Sequence, residues 1–164
     1  MKKRHDAAFE TFYRATRDDV FRTILIVVGD RQLAQDAVAE AYTRALARWK
    51  TVAQHPAPSA WVAKTALNYV RSGHRVATRI ASVEVPDVPV TDDPPTDPEM
   101  VRQLLALPDR QREVVALRVV LGLDTQQTAD LLGIAPGTVT THLFRALARL
   151  QDELTNIAPK EAWT

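Results

Sequence analysis

The sequence predicts an all-α protein: two small helical domains joined by a flexible, acidic, proline-rich linker, with a helix-turn-helix in the second domain. Three observations lead to this prediction. Apolar residues recur at three- and four-residue steps in both halves, Gly and Pro separate the periodic stretches, and residues 80–99 contain five prolines without a sustained period. A chain of 164 residues can form two domains, each with its own core. We place the domains at residues 1–79 and 100–164.

The first half is predicted to contain three helices. Asp6 is expected to cap the first helix, which ends at Gly29, and Asp30 is expected to cap the second. Residues 50–58 break the periodic pattern and are predicted to form a loop, after which a third helix begins near Ser59. The spacing of apolar residues predicts that the second helix buries one stripe, composed of Leu33, Ala37, Val38, Ala41, Ala45, Leu46 and Trp49.

The second half is predicted to begin with two short helices. Pro98 and Pro108 each stand where the first turn of a helix accepts proline, and Gly122 ends the second of these helices. That helix is predicted to bury Val114, Val115, Leu117 and Val119.

The end of the chain has the pattern of a helix-turn-helix. Asp124 and Gln127 predict a capping box for a helix over residues 125–132, Gly133 ends that helix, and Pro136 begins the last one. The last helix is predicted to bury Val139, Leu143, Ala146, Leu147 and Leu150.

Polar and basic residues recur on the other side of the last helix. We expect this face, opposite the apolar stripe, to consist of Thr138, Thr141, His142, Arg145 and Arg149. Hydroxyl and imidazole groups can bond phosphates or base edges, and Arg can bind guanine O6 and N7 in a major groove. A solvated face of an ordinary helical bundle would carry the same residue types, so the pattern alone leaves both interpretations open.

The charge of the chain is unevenly distributed. Residues 1–79 hold 14 basic and 7 acidic side chains, residues 80–100 hold 6 acidic and no basic ones, and residues 101–164 hold 7 of each. A basic first half suggests a surface that binds a polyanion, and the acidic segment suggests one that avoids or imitates it.

Composition excludes several classes of function. The chain has no Cys, so disulfides and thiol catalysis are excluded. Its longest aliphatic run, residues 24–28, is far shorter than the roughly 20 residues of a membrane span, and the basic start lacks the apolar core of a signal peptide. The four His residues have no metal-binding spacing and there is no Gly-rich phosphate loop. We therefore expect a cytoplasmic protein that is not an enzyme, with no cofactor, no metal and no small-molecule substrate.

Motifs in both halves resemble one family. The chain is similar to the extracytoplasmic-function sigma factors of bacterial RNA polymerase: their region 2 in residues 9–13, 29–46 and 60–68, and their region 4 in residues 107–114, 122–139 and 143–150. The resemblance covers residues 6–155, with both domains in the family's order. It implies an alternative sigma factor that binds core RNA polymerase and directs it to specific promoters.

The resemblance also implies roles for particular residues. The clamp helices of the largest polymerase subunit would meet Asp36, Glu40 and Arg44. The minus-10 promoter DNA would meet Lys64, Asn68, Arg71 and Arg75. The minus-35 DNA would meet Thr138, Thr140, Thr141, His142, Phe144, Arg145 and Arg149. Residues 50–58 would accept an unstacked promoter base, and region 4 would rest on the flap of the second polymerase subunit. An anti-sigma factor is an expected partner, and insertion into a membrane is not expected.

The sequence departs from the family at the recognition helix. Thr140, Thr141 and His142 replace a usual basic-Ser-Arg run, and Ala135 stands where a Ser or Thr normally caps this helix. Ala39 and Ser72 replace a common Gln and a usual Asp in region 2. The change at residues 140–142 predicts weaker attraction to phosphate and an altered minus-35 preference. The other departures bear on affinity for core polymerase and on the start of the recognition helix, where the missing cap costs roughly 1 kcal/mol.

Two alternatives come from other classes. The run from Thr138 to Leu143 is close to the DNA-binding domains of LuxR-type regulators, which would make the chain a stand-alone DNA-binding regulator. Such a regulator should carry a receiver domain of alternating strands and helices, whereas residues 6–79 are predicted to be helical only. An enzyme is disfavoured because no catalytic motif is present.

Overall fold

The protein is helical wherever its structure is described. A computed structural model describes residues 2–77 and 97–157, apart from the side chains of residues 74–77 and 157. The chain divides into two compact units, Met1–Pro95 and Thr96–Thr164. The described ranges contain no strand, which confirms the all-α prediction. The predicted linker lies outside the described residues except for residues 97–99.

Residues 2–77 of the first unit form four helices. They are α1 (Lys2–Val28), α2 (Arg31–Ala47), α3 (Trp49–Val52) and α4 (Pro58–Ala77). Gly29 ends α1 with a φ of 74°, where glycine has no steric cost, and the Asp30 carboxylate caps α2 by accepting from the Leu33 amide at 2.9 Å.

Two predictions for the first unit are wrong. Asp6 does not cap α1, because the helix already begins at Lys2 and contains Asp6 in its second turn. Residues 50–58 are not all loop, because α3 continues as far as Val52. Burial of Trp49 and Val52 holds this short turn against the unit, which local propensity does not reveal.

The core of the first unit lies where α2 packs between α1 and α4. Val20, Phe21 and Ile24 of α1 are buried, as are Val62 and Leu67 of α4. Small residues on α2 allow close helix packing: Ala34, Ala37, Ala41 and Ala45. Leu46, predicted to be buried, is 47% exposed because it lies outside this alanine stripe, and Tyr42 is buried in the stripe.

Over residues 97–157 the second unit forms four α-helices and one π-helical turn. They are α5 (Pro98–Leu105), α6 (Asp109–Val115) with its π-helical continuation (Ala116–Val120), α7 (Thr125–Leu132) and α8 (Pro136–Ile157). The predicted capping box is confirmed: the Gln127 amide donates to the Asp124 carboxylate at 2.7 Å, and the Gln127 side chain accepts from the Asp124 amide at 3.0 Å.

Two residues predicted to be buried in the second unit are exposed. Val119 is 59% exposed because it lies in the π-helical turn, in which the Leu121 amide donates to the Ala116 carbonyl. This wider turn changes the angular position of the residues that follow Leu117. Leu147 is 48% exposed because α8 buries only a narrow stripe centred on Val139 and Ala146. No helix within residues 2–77 and 97–157 is long and apolar enough to cross a membrane.

Candidate nucleic-acid interface

The helix-turn-helix of the second unit consists of α7, the turn at Gly133 and α8. Gly133 has a φ of 67°, and the amide of Ile134 donates to the Ala129 carbonyl at 3.1 Å, so α7 ends here and three residues separate it from α8. Burial of Val139 and Ala146 fixes α8 on the unit. The face of α8 away from these two residues is therefore held rigidly toward solvent.

Most of the predicted minus-35 residues lie on the exposed surface of α8. The exposed ones are Thr138, Thr140, Thr141, Phe144, Arg145 and Arg149. Phe144 is 75% exposed, which is unusual for a large aromatic side chain of a small domain. Phe144 and Arg145 are both neighbours of Thr141 on the helix surface, because they follow it by three and four residues.

His142 does not lie opposite the apolar stripe as predicted. It follows Val139 by three residues and precedes Ala146 by four, so its ring lies at the edge of the buried stripe and is half-buried. Its Nδ1 atom is buried and has no hydrogen-bond partner among the described residues. His142 is thus partly a packing residue.

Arg149 lies beside acidic side chains. It lines a groove between α5 and the second half of α8, together with Glu99, Arg102, Gln103, Ala106, Leu107, Leu150, Asp152 and Glu153. The nearby carboxylates lower the positive potential around its guanidinium, so Arg145 is the basic residue of α8 with the clearest access to an anion.

Three of the four predicted minus-10 residues form an exposed stripe on α4. Lys64, Asn68 and Arg71 are exposed and follow one another at steps of four and three residues, so they share one side of the helix. Arg75 continues this spacing on the same helix, but its side chain is outside the described residues. Trp61 begins the stripe one turn earlier and is half-buried.

A groove between α2 and α4 contacts this stripe. It is lined by Arg44, Ala47, Arg48, Trp61, Thr65 and Asn68. The groove therefore brings together Arg44, predicted to bind polymerase, and Asn68, predicted to bind DNA. Arg48 and Trp61 were not among the residues predicted to bind DNA or polymerase. Trp61 lies three residues before Lys64, and this spacing could have identified it as part of the same stripe.

Two half-buried carboxylates lie on α2, away from its alanine stripe. Asp36 accepts a hydrogen bond from the side-chain amide nitrogen, Nε2, of Gln32 at 3.0 Å. Glu40 forms an ion pair with the Nε of Arg44 at 2.8 Å. These contacts lie within one helix and hold both carboxylates in place. The residues that the structure describes contain no group of three or more His, Asp or Glu side chains that could hold a metal ion.

Comparison with known proteins identifies the family. A family model described as "Sigma-70, region 4" matches residues 99–150. The RNA polymerase sigma-E factor of Streptomyces coelicolor is 32% identical over 153 residues, covering 89% of this chain and 85% of that protein. The chain belongs to the extracytoplasmic-function sigma factors. Like other members, this sigma factor binds core RNA polymerase and directs it to specific promoters.

Further relatives agree with this assignment. The sigma-E factor of Streptomyces avermitilis is 33% identical over 89% of this chain and 84% of its own length. The extracytoplasmic-function sigma factor ShbA of Streptomyces griseus is 37% identical over 48% of this chain and 45% of its own length. The solved structure of the sigma factor RpoE in complex with the anti-sigma factor NepR, from Bartonella quintana, has a TM-score of 0.72 at 21% identity and covers 90% of this chain and 97% of that one. This sigma factor therefore shares the fold of RpoE.

Proposed function

We propose that the two units of this sigma factor bind different parts of a promoter while the first unit also binds the polymerase. The observation that carries the proposal is the exposed surface of α8, the helix that follows the capped helix α7 and the turn at Gly133. It presents Thr141, Phe144 and Arg145 together, and this combination of hydroxyl, aromatic ring and guanidinium suits the edges of base pairs in a major groove. We assign the minus-35 element to this surface.

The minus-10 element is assigned to α4. Lys64 and Arg71 provide cations for phosphate, and Asn68 provides an amide for a base edge or a sugar. The groove between α2 and α4 adds the half-buried ring of Trp61 and the guanidinium of Arg48, groups that bind a separated strand by stacking and by charge. Arg44 is thereby assigned to DNA binding in addition to its ion pair with Glu40.

Core polymerase is assigned to the exposed side of α2. Asp36 and Glu40 provide fixed negative charge, and the exposed Leu46 provides apolar surface on the same helix. A mixture of charge and apolar area is typical of specific protein interfaces. The clamp helices of the largest subunit are the proposed partner here, and the flap of the second subunit is the proposed partner of the second unit.

Regulation by an anti-sigma factor is part of the proposal. Leu147 and Leu154 leave apolar surface on α8, and a bound inhibitor would cover it. The related RpoE structure contains such a protein, NepR. In this scheme the sigma factor itself performs no catalysis, because the polymerase forms the RNA. The sigma factor acts in the cytoplasm, where polymerase and promoters are.

Transcription in vitro tests the proposal. Purified core polymerase would be given a pool of random promoters with and without this protein, and the starts would be sequenced. We expect protein-dependent starts that share two motifs about two helical turns apart, one for each unit. Absence of such starts, with sequence-selective binding by the free protein, would replace the proposal by a stand-alone regulator of the LuxR type.

A further inference from the structure

Two hydroxyl groups near the start of α8, those of Thr140 and Thr141, are already used as donors within the helix. Thr141 Oγ1 donates to the carbonyl of Gly137 at 3.0 Å, and Thr140 Oγ1 donates to the carbonyl of Pro136 at 3.3 Å. A threonine hydroxyl has one hydrogen and two lone pairs. With that hydrogen engaged, each side chain offers solvent an acceptor oxygen and a methyl group.

Such an acceptor does not suit a phosphate. Phosphate oxygens accept hydrogen bonds, so Thr141 would have to give up its bond to Gly137 to donate to one. Base edges in the major groove differ in this respect: adenine N6 and cytosine N4 carry amino donors, whereas guanine O6 and thymine O4 are acceptors. An acceptor-only hydroxyl therefore distinguishes adenine and cytosine, which present an amino group in the major groove, from guanine and thymine, which present acceptors there.

The neighbours of Thr141 favour base reading over attraction to phosphate. Arg145 and Arg149 are the only Lys or Arg residues of α8, and Arg149 lies beside the carboxylates of Asp152 and Glu153. Phe144 is next to Thr141 on the helix surface and provides an apolar contact that fits a thymine methyl group. Apart from Arg145, the surface around Thr141 is thus poor in charge and rich in groups that distinguish bases.

We infer that Thr141 is a specificity-determining residue that selects adenine or cytosine, by accepting a hydrogen bond from the amino group, at one position of the minus-35 element. This inference rests on the proposed assignment of the minus-35 element to α8. It concerns a recognition helix in which Thr140 and His142 stand where the family has basic residues and Thr141 stands at the serine position between them. Thr141 is therefore an acceptor flanked by two positions that have lost a cationic donor.

A promoter pool randomised in the minus-35 element, with a fixed minus-10 element and spacer, tests the inference by transcription with core polymerase. Wild type would be compared with Thr141→Val, which replaces the oxygen by a methyl group, and Thr141→Ser, which keeps the oxygen. We expect wild type to favour adenine or cytosine at one position about fivefold, Thr141→Val to abolish that preference, and Thr141→Ser to retain it.

Thr155 provides a matched control. It lies on α8 near its end, is exposed, and makes the same type of bond, to the Gln151 carbonyl at 2.9 Å. Thr155→Val should leave every base preference as in wild type. Thermal melting of each variant checks that α8 remains folded.

The outcomes separate the inference from the proposed function. An unchanged preference in Thr141→Val, or an equal loss in Thr141→Ser, overturns the inference while starts from the pool still support the proposed function. A wild-type preference for guanine or thymine at the position altered by Thr141→Val also overturns it. Failure of wild type to start at any promoter rejects the proposed function instead.

Discussion

In the described part of the first unit every aromatic side chain is buried or half-buried, whereas the one aromatic side chain described in the second unit is exposed. Phe9 and Trp49 are in edge contact with ring centroids 5.5 Å apart, and Tyr13 and Tyr42 are 4.9 Å apart in a similar arrangement. Phe144 of the second unit is 75% exposed. The exposed large apolar side chains of the second unit also include Met100, Val119, Leu147 and Leu154, while in the described part of the first unit only Leu46 is of this kind.

This difference indicates how each unit is stabilised. The first unit completes a core between α1, α2 and α4, so it can present its binding groups on a self-contained body. The second unit leaves apolar area on the helix that carries its recognition residues. Contact with DNA, polymerase or an inhibitor would bury that area, so the second unit depends more on its partners.

Removal of a core side chain from each unit tests whether the two cores are separate, and it has the largest expected effect. Phe21 and Leu117 are almost completely buried, one in each unit. Phe21→Ala should lower the free energy of unfolding of the first unit by about 3–5 kcal/mol, and Leu117→Ala that of the second by about 2–5 kcal/mol.

Thermal unfolding followed by calorimetry would measure both changes. We expect each variant to shift one transition and leave the other in place. A single transition shifted equally by both variants would contradict the separation of the cores.

Reversal of charge on α2 tests the polymerase surface of the first unit. Asp36→Lys with Glu40→Lys should weaken binding to core polymerase roughly a hundredfold, since two attractive contacts become repulsive. Pull-down with purified core enzyme measures the effect. Asp6→Lys with Glu10→Lys on α1 makes the same change in net charge and should bind as wild type. A loss of melting temperature in the α2 variant would show that both carboxylates are structural.

Truncation of Arg145 tests base reading by the second unit. Arg145→Ala should reduce discrimination at one minus-35 position about tenfold, because a bidentate contact to guanine is lost. Sequenced starts from a promoter pool measure it. Arg102→Ala removes an exposed guanidinium from α5 of the same unit and serves as the control. Equal weakening on all sequences would identify Arg145 as a phosphate contact.

The buried tyrosine of the first unit should make that unit sensitive to alkaline pH. Tyr42 is 3% exposed, its hydroxyl lies 2.7 Å from that of Thr16, and burial raises its pKa above the ordinary 10.0. As pH rises, the Tyr42 hydroxyl therefore loses its proton at a lower pH in the unfolded chain than in the folded one. Its contribution to the free energy of unfolding is fully present below the ordinary pKa and is lost as pH rises above it.

Chemical denaturation of wild type and Tyr42→Phe at several alkaline pH values measures this effect. Above the ordinary pKa, the wild-type free energy of unfolding should fall more steeply than that of Tyr42→Phe, by about 1.4 kcal/mol per pH unit. Equal slopes for the two proteins would contradict the assignment to Tyr42.

Completion of a helix cap in the second unit has the smallest expected effect. Asp30, Asp97 and Asp124 accept hydrogen bonds from amides at the starts of α2, α5 and α7, but Ala135 before α8 has no side-chain acceptor. Ala135→Ser should raise the free energy of unfolding of the second unit by about 1 kcal/mol. Chemical denaturation measures it, and an unchanged midpoint would mean that the start of α8 is already satisfied.

Local signals in the sequence determined most of the helix boundaries and the family. The caps at Asp30 and Asp124 and the glycine ends at Gly29 and Gly133 depend on a few adjacent residues, so these were predictable. The roles of the DNA-binding and polymerase-binding residues remain predictions, and they came from the motifs of the family rather than from spacing alone.

Only the tertiary structure decided which side of each helix is covered. Leu46, Val119 and Leu147 fit an apolar stripe by spacing yet are exposed, while His142 fits a polar face yet is half-buried. The groove that joins Arg44 of α2 to Asn68 of α4 is likewise absent from any local pattern. Helical periodicity gives the angular position of a residue, but burial depends on where neighbouring helices lie and on local irregularities such as the π-helical turn, and these follow from packing of the whole unit.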